Sequence, residues 1–213
     1  MPALQTIVFI LLIIGTPASA QGNTSESAIA ESDSSVTALR ERIIPKAQPI
    51  TFQEGMHIAP LARATIFVRN IDESLKLYAD ILGLRPMFDN YWKGRGINAI
   101  MGTHDTELRA TVLMAGESVQ GNLGIYQLYN EKFTQSPPVQ SADTRTGDFA
   151  IVFPTNDIYR LTAEIEAAGH VIISPPVSLI ERADYEVQPV EMMFRDPDGV
   201  LVNLVQAGVR KKE

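Results

Sequence analysis

Cysteine is absent from the 213-residue chain, which excludes disulfides, lipid attachment at a cysteine and a thiol nucleophile. Long hydrophobic runs are also missing. The longest apolar run near the N-terminus, Ile7 to Ile14, is far shorter than the roughly 20 residues that cross a bilayer. Because 45% of the residues are hydrophobic and 20% are charged, the composition is typical of a globular protein that rests on its apolar core.

An excess of basic residues is missing too. Lys and Arg number 18 against 25 Asp and Glu, which gives a net charge of -7, and the pI is about 5.0. A nucleic-acid partner is therefore not expected, because binding to phosphates needs a basic surface. The basic cluster Arg210 to Lys212 predicts only a solvated tail over residues 209–213. No P-loop, complete G-x-G-x-x-G segment or G-x-S-x-G elbow is present, so nucleotide and serine-hydrolase chemistry are not indicated.

The N-terminal segment has the pattern of an export signal. Small residues at Ala18 and Ala20 follow the apolar run and predict cleavage before Gln21. We therefore expect a signal peptide over residues 1–20 and a periplasmic or secreted protein that does not contact the membrane after cleavage. An uncleaved N-terminal anchor is the alternative, because no Lys or Arg precedes the run. Residues 21–59 are rich in Ser, Ala, Gln and Glu, which predicts a flexible tether.

From about residue 60 onward, one pattern of strand and helix occurs twice. In the first copy a strand over Ala64 to Val68 leads to Asn70, a helix N-cap, and Gly83 ends the amphipathic helix. In the second copy a strand over Phe149 to Phe153 leads to a helix capped by Thr155 or Asn156, which ends at Gly169. Three strand-like runs follow each helix: Ile97 to Met101, Leu108 to Met114 and Leu123 to Tyr129, then His170 to Ile173, Val190 to Phe194 and Val200 to Val205. The pattern predicts two βαβββ modules, over 60–135 and 145–208, which pair to bury their sheets.

Two segments resemble the vicinal oxygen chelate superfamily, which includes glyoxalases, bleomycin-resistance proteins and extradiol dioxygenases. Phe194 to Leu204, FRDPDGVLVNL, resembles the F-x-D-P-D-G-x-x-x-E-L ending of family members, and Val68 to Pro86 resembles their first helix, which ends in L-G-L. The resemblance covers Leu61 to about Ala207. It implies an α+β fold in which two tandem βαβββ modules form a cup-shaped mixed β-sheet around a cavity. Family members often form homodimers, and the sequence leaves the oligomeric state of this chain open.

The resemblance also implies metal ligands, His and Glu, on the first and last strands of each module. The matching positions here hold Arg63, Gln127, Asp148 and Asn203. Arg63 cannot coordinate a metal, only Asp148 is anionic, and none of the four is the imidazole or thiolate that zinc and iron prefer. We therefore expect neither a metal nor another cofactor. A hard divalent cation held by the oxygens of Asp148, Gln127 and Asn203 is the less favoured alternative.

The pseudo-twofold axis predicts that Arg63 faces Asp148 and that Gln127 faces Asn203 in the floor of the cup. One interpretation is structural: an Arg–Asp pair flanked by two amides satisfies buried polar groups. The other is functional. Arg63 then holds an anionic group of a small-molecule ligand and Asp148 orients it or accepts its proton, as candidate catalytic residues, while Gln127 and Asn203 contact the substrate.

Two further residues are candidates for substrate binding. Trp92 lies in an aromatic and basic segment after the first helix and can stack on a flat ligand, although packing at the module interface explains it equally well. His104 lies in a turn that can line the mouth of a cavity, although turn histidines are more often solvated.

Three functions remain open from the sequence. The first is an exported, metal-independent protein that acts on a small anionic or aromatic molecule, with lyase, isomerase or dioxygenase ancestry. The second is a non-catalytic protein that sequesters such a molecule, and the third is a metal-dependent lyase or dioxygenase with oxygen ligands. Glyoxalase I activity is not expected, because its glutathione adduct forms in the cytosol and the metal ligands are missing here. The sequence does not decide whether the chain is an enzyme.

Overall fold

The computed structural model describes residues 54–55, 57–58, 61–118, 121–129, 138 and 141–212. The chain divides into two units, Met1–Ala59 and Pro60–Glu213, and the second unit contains both four-stranded sheets. The predicted signal peptide and nearly all of the predicted tether lie outside the described residues. No helix within the described ranges is long and apolar enough to cross a membrane.

The first module is a four-stranded sheet with one long helix on one side. Its order is β1-β4-β3-β2, in which β1 and β4 are parallel and the other pairs are antiparallel. Helix α1 continues as a π-helix, in which the Leu82 N–H donates to the Leu77 carbonyl at 2.9 Å. The elements are β1 (Arg63–Phe67), α1 (Ile71–Leu75), the π-helix (Lys76–Ile81), β2 (Arg85–Lys93), α2 (Arg95–Met101), β3 (Glu107–Met114) and β4 (Asn122–Tyr129).

The second module repeats this arrangement with the order β5-β9-β8-β6. Strands β5 and β9 are parallel, and the other two pairs are antiparallel. A short two-stranded ribbon joins β7 to β10, so Val209 and Arg210 of the predicted solvated tail form a strand. The elements are β5 (Ala150–Thr155), α3 (Ile158–Ala167), β6 (Val171–Val177), β7 (Tyr185–Val187), β8 (Val190–Arg195), β9 (Leu201–Gln206) and β10 (Val209–Arg210). The predicted α+β fold of two tandem modules is confirmed.

The two long helices begin in the same way, which defines the equivalence between the modules. The side-chain oxygen of Gln127 accepts from the Ile71 N–H at 3.0 Å, and that of Gln206 accepts from the Ile158 N–H at 2.9 Å. These N–H groups lie in the first turn, where the helix itself supplies no acceptor. Asn70 is confirmed as the cap of α1, since its side chain accepts from Asp72 N at 2.9 Å. In the second module the N-cap is Asp157 rather than Thr155 or Asn156, and its side chain makes no capping bond.

The prediction of a strand over Ile97 to Met101 is wrong. These residues form α2, and the second strand of the module is the preceding segment, β2. Helix α2 lies between Gly94 and Gly102, and Gly102 has the left-handed conformation typical of a helix C-terminus. The sequence does not reveal β2 because Pro86 interrupts its pattern; proline is tolerated there because β2 is an edge strand with a bulge between Pro86 and Phe88.

Each sheet has a helix face and a cup face. On the helix face, one continuous core joins both modules, because side chains of both sheets and of α1 and α3 belong to the same cluster. Ile71, Tyr78, Ile158, Ile165 and Phe194 in this core have no exposed surface. We call the opposite side of each sheet the cup face. Side chains alternate along a strand and partners in a ladder share a face, so the cup face holds Arg63, Thr65, Phe67, Gly124 and Tyr126 in the first module and Val152, Glu191, Met193, Asn203 and Val205 in the second.

Candidate functional site

The cup face of the first module carries an arginine stacked on an aromatic ring. The guanidinium carbon of Arg63 lies 5.5 Å from the centre of the Tyr126 ring, within the range of a cation–π contact. Its Nε donates to the Thr65 hydroxyl at 3.1 Å, which fixes the side chain on the sheet. The Tyr126 ring in turn meets Phe67 edge to face at 5.8 Å. A row of cation, tyrosine and phenylalanine therefore runs along β1 and β4.

Glycine at position 124 makes room for this row. A Cβ atom added to Gly124 would lie 2.8 Å from the Thr65 hydroxyl and 3.0 Å from Cδ of Arg63. The first distance is shorter than real Cβ contacts, so a larger residue would displace the Thr65 hydroxyl that holds Arg63 and would press on the arginine itself. The absence of a side chain thus lets Arg63 lie flat across β4 and reach Tyr126.

Arg63 pairs with no carboxylate among the residues that the structure describes. One of its five N–H groups is used by Thr65, and the residue is exposed. The guanidinium therefore presents its two terminal nitrogens to the solvent on the cup face. A planar anion such as a carboxylate can take both of them.

Asn203 lies on the cup face of the second module, where it is 7% exposed. Its Nδ2 donates to Oε2 of Glu191 at 3.3 Å, a long bond between two polar groups. Met193 shares this face, whereas its neighbour Met192 is buried in the core, where the Thr162 hydroxyl lies 3.0 Å from its sulfur. This face therefore offers a carboxylate, an amide and an apolar surface.

Asp148 lies just before β5 and is bound to Arg195 rather than to Arg63. Its Oδ2 accepts from Arg195 Nη2 at 3.1 Å and from the Arg145 N–H at 3.0 Å. The Arg145 N–H, followed by the Arg195 guanidinium, lowers the pKa of Asp148 below its usual value, so the carboxylate is ionised at neutral pH. The prediction of an Arg63–Asp148 pair is wrong, because Arg63 forms no ion pair within the described part of the chain.

Arg195 is a buried residue that holds the loop carrying Asp148 in place through hydrogen bonds. The residue is 2% exposed, and besides Asp148 it donates to the carbonyls of Ser141, Asp143 and Gly199 at 2.6 to 2.7 Å. Four hydrogen bonds satisfy most of its donors, which makes its burial tolerable. Loop residues 141–148 are thereby fixed to the turn between β8 and β9.

Asp148 and Arg195 line a cavity at the junction of the two modules. The cavity has a volume of about 240 Å³, and its wall includes Ile66 and Phe67 of the first module. The second module contributes Phe149 and the turn around Gly199. Phe67 thus belongs both to this cavity and to the row that begins at Arg63.

Gln127 lies on the helix face, not in the floor of the cup. Its side chain caps α1, and its equivalent in the second module is Gln206, so Gln127 cannot face Asn203 across the pseudo-twofold axis. Arg63 is likewise equivalent to Ala150 by register, not to Asp148. The four residues therefore do not come together in the floor of the cup as predicted. Gln127 lies on the opposite face of β4, and Asp148 lies before the first residue of β5.

The four positions that would carry metal ligands do not fit a metal. Arg63 is a cation, the oxygen of Gln127 accepts from a helix N–H, and Oδ2 of Asp148 accepts from Arg195 and Arg145. Only Asn203 of the four offers an oxygen on the cup face. No group of three or more His, Cys, Asp or Glu side chains in the described ranges has the spacing to hold a metal ion.

Trp92 lies on the cup face of the first module, where Tyr126 of the Arg63 row packs against the same apolar cluster, whereas His104 lies apart from that row. Trp92 packs inside the first module, where it meets Phe88 edge to face at 5.6 Å and joins a small apolar cluster with Leu108 and Leu128 beneath α2. His104 borders a separate cleft of about 570 Å³ whose lining comes from α2 and the turn after it. Neither residue touches the cavity that Asp148 lines.

The D-P-D-G turn, Asp196 to Gly199, ties the two modules together. The Tyr78 hydroxyl donates to Oδ2 of Asp196 at 2.9 Å, and Arg69 donates to Asp198 and Pro197 at 2.7 and 2.6 Å. Oδ1 of Asp196 accepts the N–H groups of Asp198 and Val200 at 2.9 and 2.8 Å. Burial raises the pKa of Asp196 to about 6, although these donors oppose the shift. The motif thus has a structural role at the junction.

Sequence reasoning alone misses Phe67, Tyr126 and Phe149. A usable signal is present, because Arg63, Thr65 and Phe67 alternate along one strand and so share a face. The contact between Arg63 and Tyr126 depends on the register of β1 against β4, which the sequence of either strand leaves open.

The chain shares its fold with a solved structure whose TM-score exceeds 0.5, and two others are similar at lower scores. A glyoxalase family protein from Bacillus cereus has a TM-score of 0.60 at 10% identity, over 74% of this chain and 99% of that chain. A glyoxalase I variant from Zea mays has a TM-score of 0.47 at 18% identity, over 68% of this chain and 44% of that chain. A glyoxalase/bleomycin resistance protein/dioxygenase family enzyme from Burkholderia phytofirmans has a TM-score of 0.43 at 15% identity, over 70% and 99%.

The comparison with curated proteins gave no match. Residues 57–204 match the family model of the Glyoxalase/Bleomycin resistance protein/Dioxygenase superfamily. This range contains the first module, the second module as far as β9, and the turn that joins them. The chain belongs to the Glyoxalase/Bleomycin resistance protein/Dioxygenase superfamily.

Proposed function

We propose that this chain is an exported protein that binds a small anionic aromatic molecule on its cup face without a metal. The observation that carries the proposal is the Arg63 guanidinium, which is exposed, held by Thr65 and Tyr126, and without a carboxylate partner among the described residues. An arginine kept in place by its neighbours binds an anion with little loss of side-chain entropy. Tyr126 and Phe67 supply the aromatic surface beside it.

Binding is favoured over turnover by the positions of the charged groups. An enzyme that used Arg63 as electrophile and Asp148 as base would need both groups at one reacting centre. Asp148 is instead engaged by Arg195 and Arg145, at the cavity beyond Phe67. Metal-assisted chemistry is not part of the proposal, because only Asp148 of the four ligand positions is anionic, Arg63 is a cation and the Gln127 oxygen caps a helix. Export rests on the pattern of residues 7–20, which lie outside the described ranges.

The proposal is tested by calorimetric titration of the purified protein with aromatic carboxylates and their neutral amides. The panel consists of benzoate, phenylacetate, 3-phenylpropionate and cinnamate, each beside its amide. We expect the carboxylates to bind more tightly, and Arg63→Met to weaken them by at least about tenfold, the size of a lost hydrogen bond to a charged group.

Arg210→Met is the matched control. Arg210 is also exposed and lies 5.6 Å from a tyrosine ring, that of Tyr185, on the β7–β10 ribbon. The Arg210→Met substitution removes the same charge and the same kind of cation–π contact at a place away from the cup face, so it should leave binding unchanged. Equal losses in the two variants, or equal affinity for carboxylates and amides, would contradict the proposal. So would near-stoichiometric metal, measured by elemental analysis of protein purified without chelators.

A further inference from the structure

The cavity at the module junction carries an acceptor that its protein neighbours do not use. Both hydrogen bonds to Asp148 reach Oδ2. Its Oδ1 accepts no hydrogen bond from any residue that the structure describes, and the residue is exposed, so this oxygen is open to solvent or to a ligand. A carboxylate has about four lone-pair sites, so half of the acceptor capacity of Asp148 remains available beside the cavity.

Two exposed phenylalanines flank the same cavity. Phe67 and Phe149 are 54% and 57% exposed, although large aromatic residues are usually well buried. Both lie in the cavity wall with Asp148. Aromatic rings beside a cavity of about 240 Å³ favour the binding of a flat apolar group, such as the ring of a ligand, over water alone.

Phe67 connects this cavity to the anion site on the cup face. The guanidinium carbon of Arg63 lies 5.5 Å from the centre of the Tyr126 ring, and the centre of that ring lies 5.8 Å from the centre of the Phe67 ring. A single elongated ligand can therefore have its anionic end at Arg63, lie along the two rings and reach the cavity with its far end. The charges along this path are complementary, because a cation lies at one end and an ionised carboxylate at the other.

We propose, on the basis of the function proposed above, that the ligand is an aromatic carboxylate with a hydroxyl or amino group at its far end. That group donates to Oδ1 of Asp148 in the cavity between Phe67 and Phe149, while the carboxylate binds Arg63. Asp148 is then the residue that distinguishes hydroxylated from plain aromatic acids. A site built to accept a ligand O–H discriminates against the analogue that lacks it.

The test compares pairs of acids that differ only by a para-hydroxyl group. Calorimetric titrations use phenylacetate and 4-hydroxyphenylacetate, 3-phenylpropionate and 3-(4-hydroxyphenyl)propionate, and cinnamate and 4-hydroxycinnamate. We expect the hydroxyl group to tighten binding by at least about tenfold in the two longer pairs. The shortest pair should show a smaller effect, because its carboxylate and ring are one methylene closer together.

Asp148→Asn is the decisive variant. The amide oxygen must take the place of Oδ2 to receive the Arg195 and Arg145 donors, which leaves the NH₂ group, a donor, in the position of Oδ1. The phenol oxygen can then only accept a neutral hydrogen bond from this NH₂ group, so the advantage of the hydroxyl group should fall well below its wild-type value, while the plain acids bind as before. Retained binding of the plain acids also shows that the variant is folded.

Phe149→Ala provides a second, independent measurement. It should weaken the longer acids with and without the hydroxyl group alike, and Tyr159→Ala, which removes a 64% exposed ring from α3, should not. If the plain acids bind through Arg63 but the hydroxyl group has no effect, this inference is overturned and the proposed function stands. If no acid binds the wild-type protein, both are overturned.

Discussion

Asp196 offers a measurable link between pH and stability at the junction of the modules. The residue is 2% exposed, and its carboxylate accepts from Tyr78 of the first module and from two backbone N–H groups of its own turn. Burial raises the pKa of this group from 3.8 to about 6. The folded state therefore holds a proton on Asp196 more tightly than the unfolded state does.

The sign of the effect follows from this raised pKa. The stability that Asp196 contributes through protonation is fully present below pH 3.8, the unfolded value, and is lost as the pH rises through about 6. A shift of about two units at 1.36 kcal/mol each corresponds to about 3 kcal/mol. Asparagine does not titrate, and it can keep the arrangement: its oxygen accepts the two N–H groups, and its NH₂ group donates to the Tyr78 hydroxyl oxygen.

We therefore expect Asp196→Asn to be more stable than the wild type at pH 7.5, by up to about 3 kcal/mol, and nearly equal at pH 4. Urea unfolding followed by circular dichroism at pH 4, 5, 6 and 7.5 measures this difference, and comparing two proteins at each pH cancels the titration of all other groups. Tyr78→Phe is the companion variant, which should lose more stability at pH 7.5 than at pH 4 because it deprives the ionised carboxylate of a donor. A variant Asp196→Asn that is less stable at every pH, by a constant amount, would refute the reasoning.

Two further predictions concern the helix face and the cup face. Gln127→Ala and Gln206→Ala should each lower the free energy of unfolding by about 0.5–2 kcal/mol, since each leaves an N–H in the first turn of a helix without its acceptor. The urea midpoint measures this loss, and no effect of either change would contradict the capping role. Gly124→Ala should weaken binding of 3-phenylpropionate, by no more than Arg63→Met does, while the fold, followed by circular dichroism, is kept. Unchanged affinity would show that Arg63 tolerates displacement from Thr65.

Elements whose pattern is regular are predictable from the sequence. The alternating strand before Asn70 and the helix that ends at Gly83 are both found, because local periodicity and capping determine them. The sequence predicts a strand in place of α2 because Ile97 and Met101 lie in a short apolar run, which has no distinct period. The spacing of the apolar residues in this run fits a helix as well as it fits a strand. The two flanking glycines indicate a helix only once the second strand is known to end at Lys93.

The candidate site is predictable residue by residue but not as an arrangement. Arg63 and Asn203 lie on the cup face, as period-two alternation indicates. Gln127 does not lie on the cup face. Its side chain points to the opposite face of β4, where it caps α1, and the sequence alone does not indicate this capping contact. Spacing does not identify the partner of Asp148 either, since Arg195 reaches it from a different strand across a loop.

The duplication separates the features that both modules need for folding from those of the proposed site. Features that both modules need for folding are equivalent, such as the glutamine that caps each long helix and the glycine of positive φ after it, Gly83 and Gly169. On the cup face the equivalent residues of the two modules differ in chemistry. The proposed ligand, where it lies across both modules, would meet a cation and two rings on the first and the Glu191 carboxylate, an amide and apolar groups on the second. Its anionic end would therefore lie on the first module. The register of the sheets gives the equivalent cup-face pairs as Arg63 with Ala150, Thr65 with Val152, Phe67 with Pro154, Gly124 with Asn203, and Tyr126 with Val205.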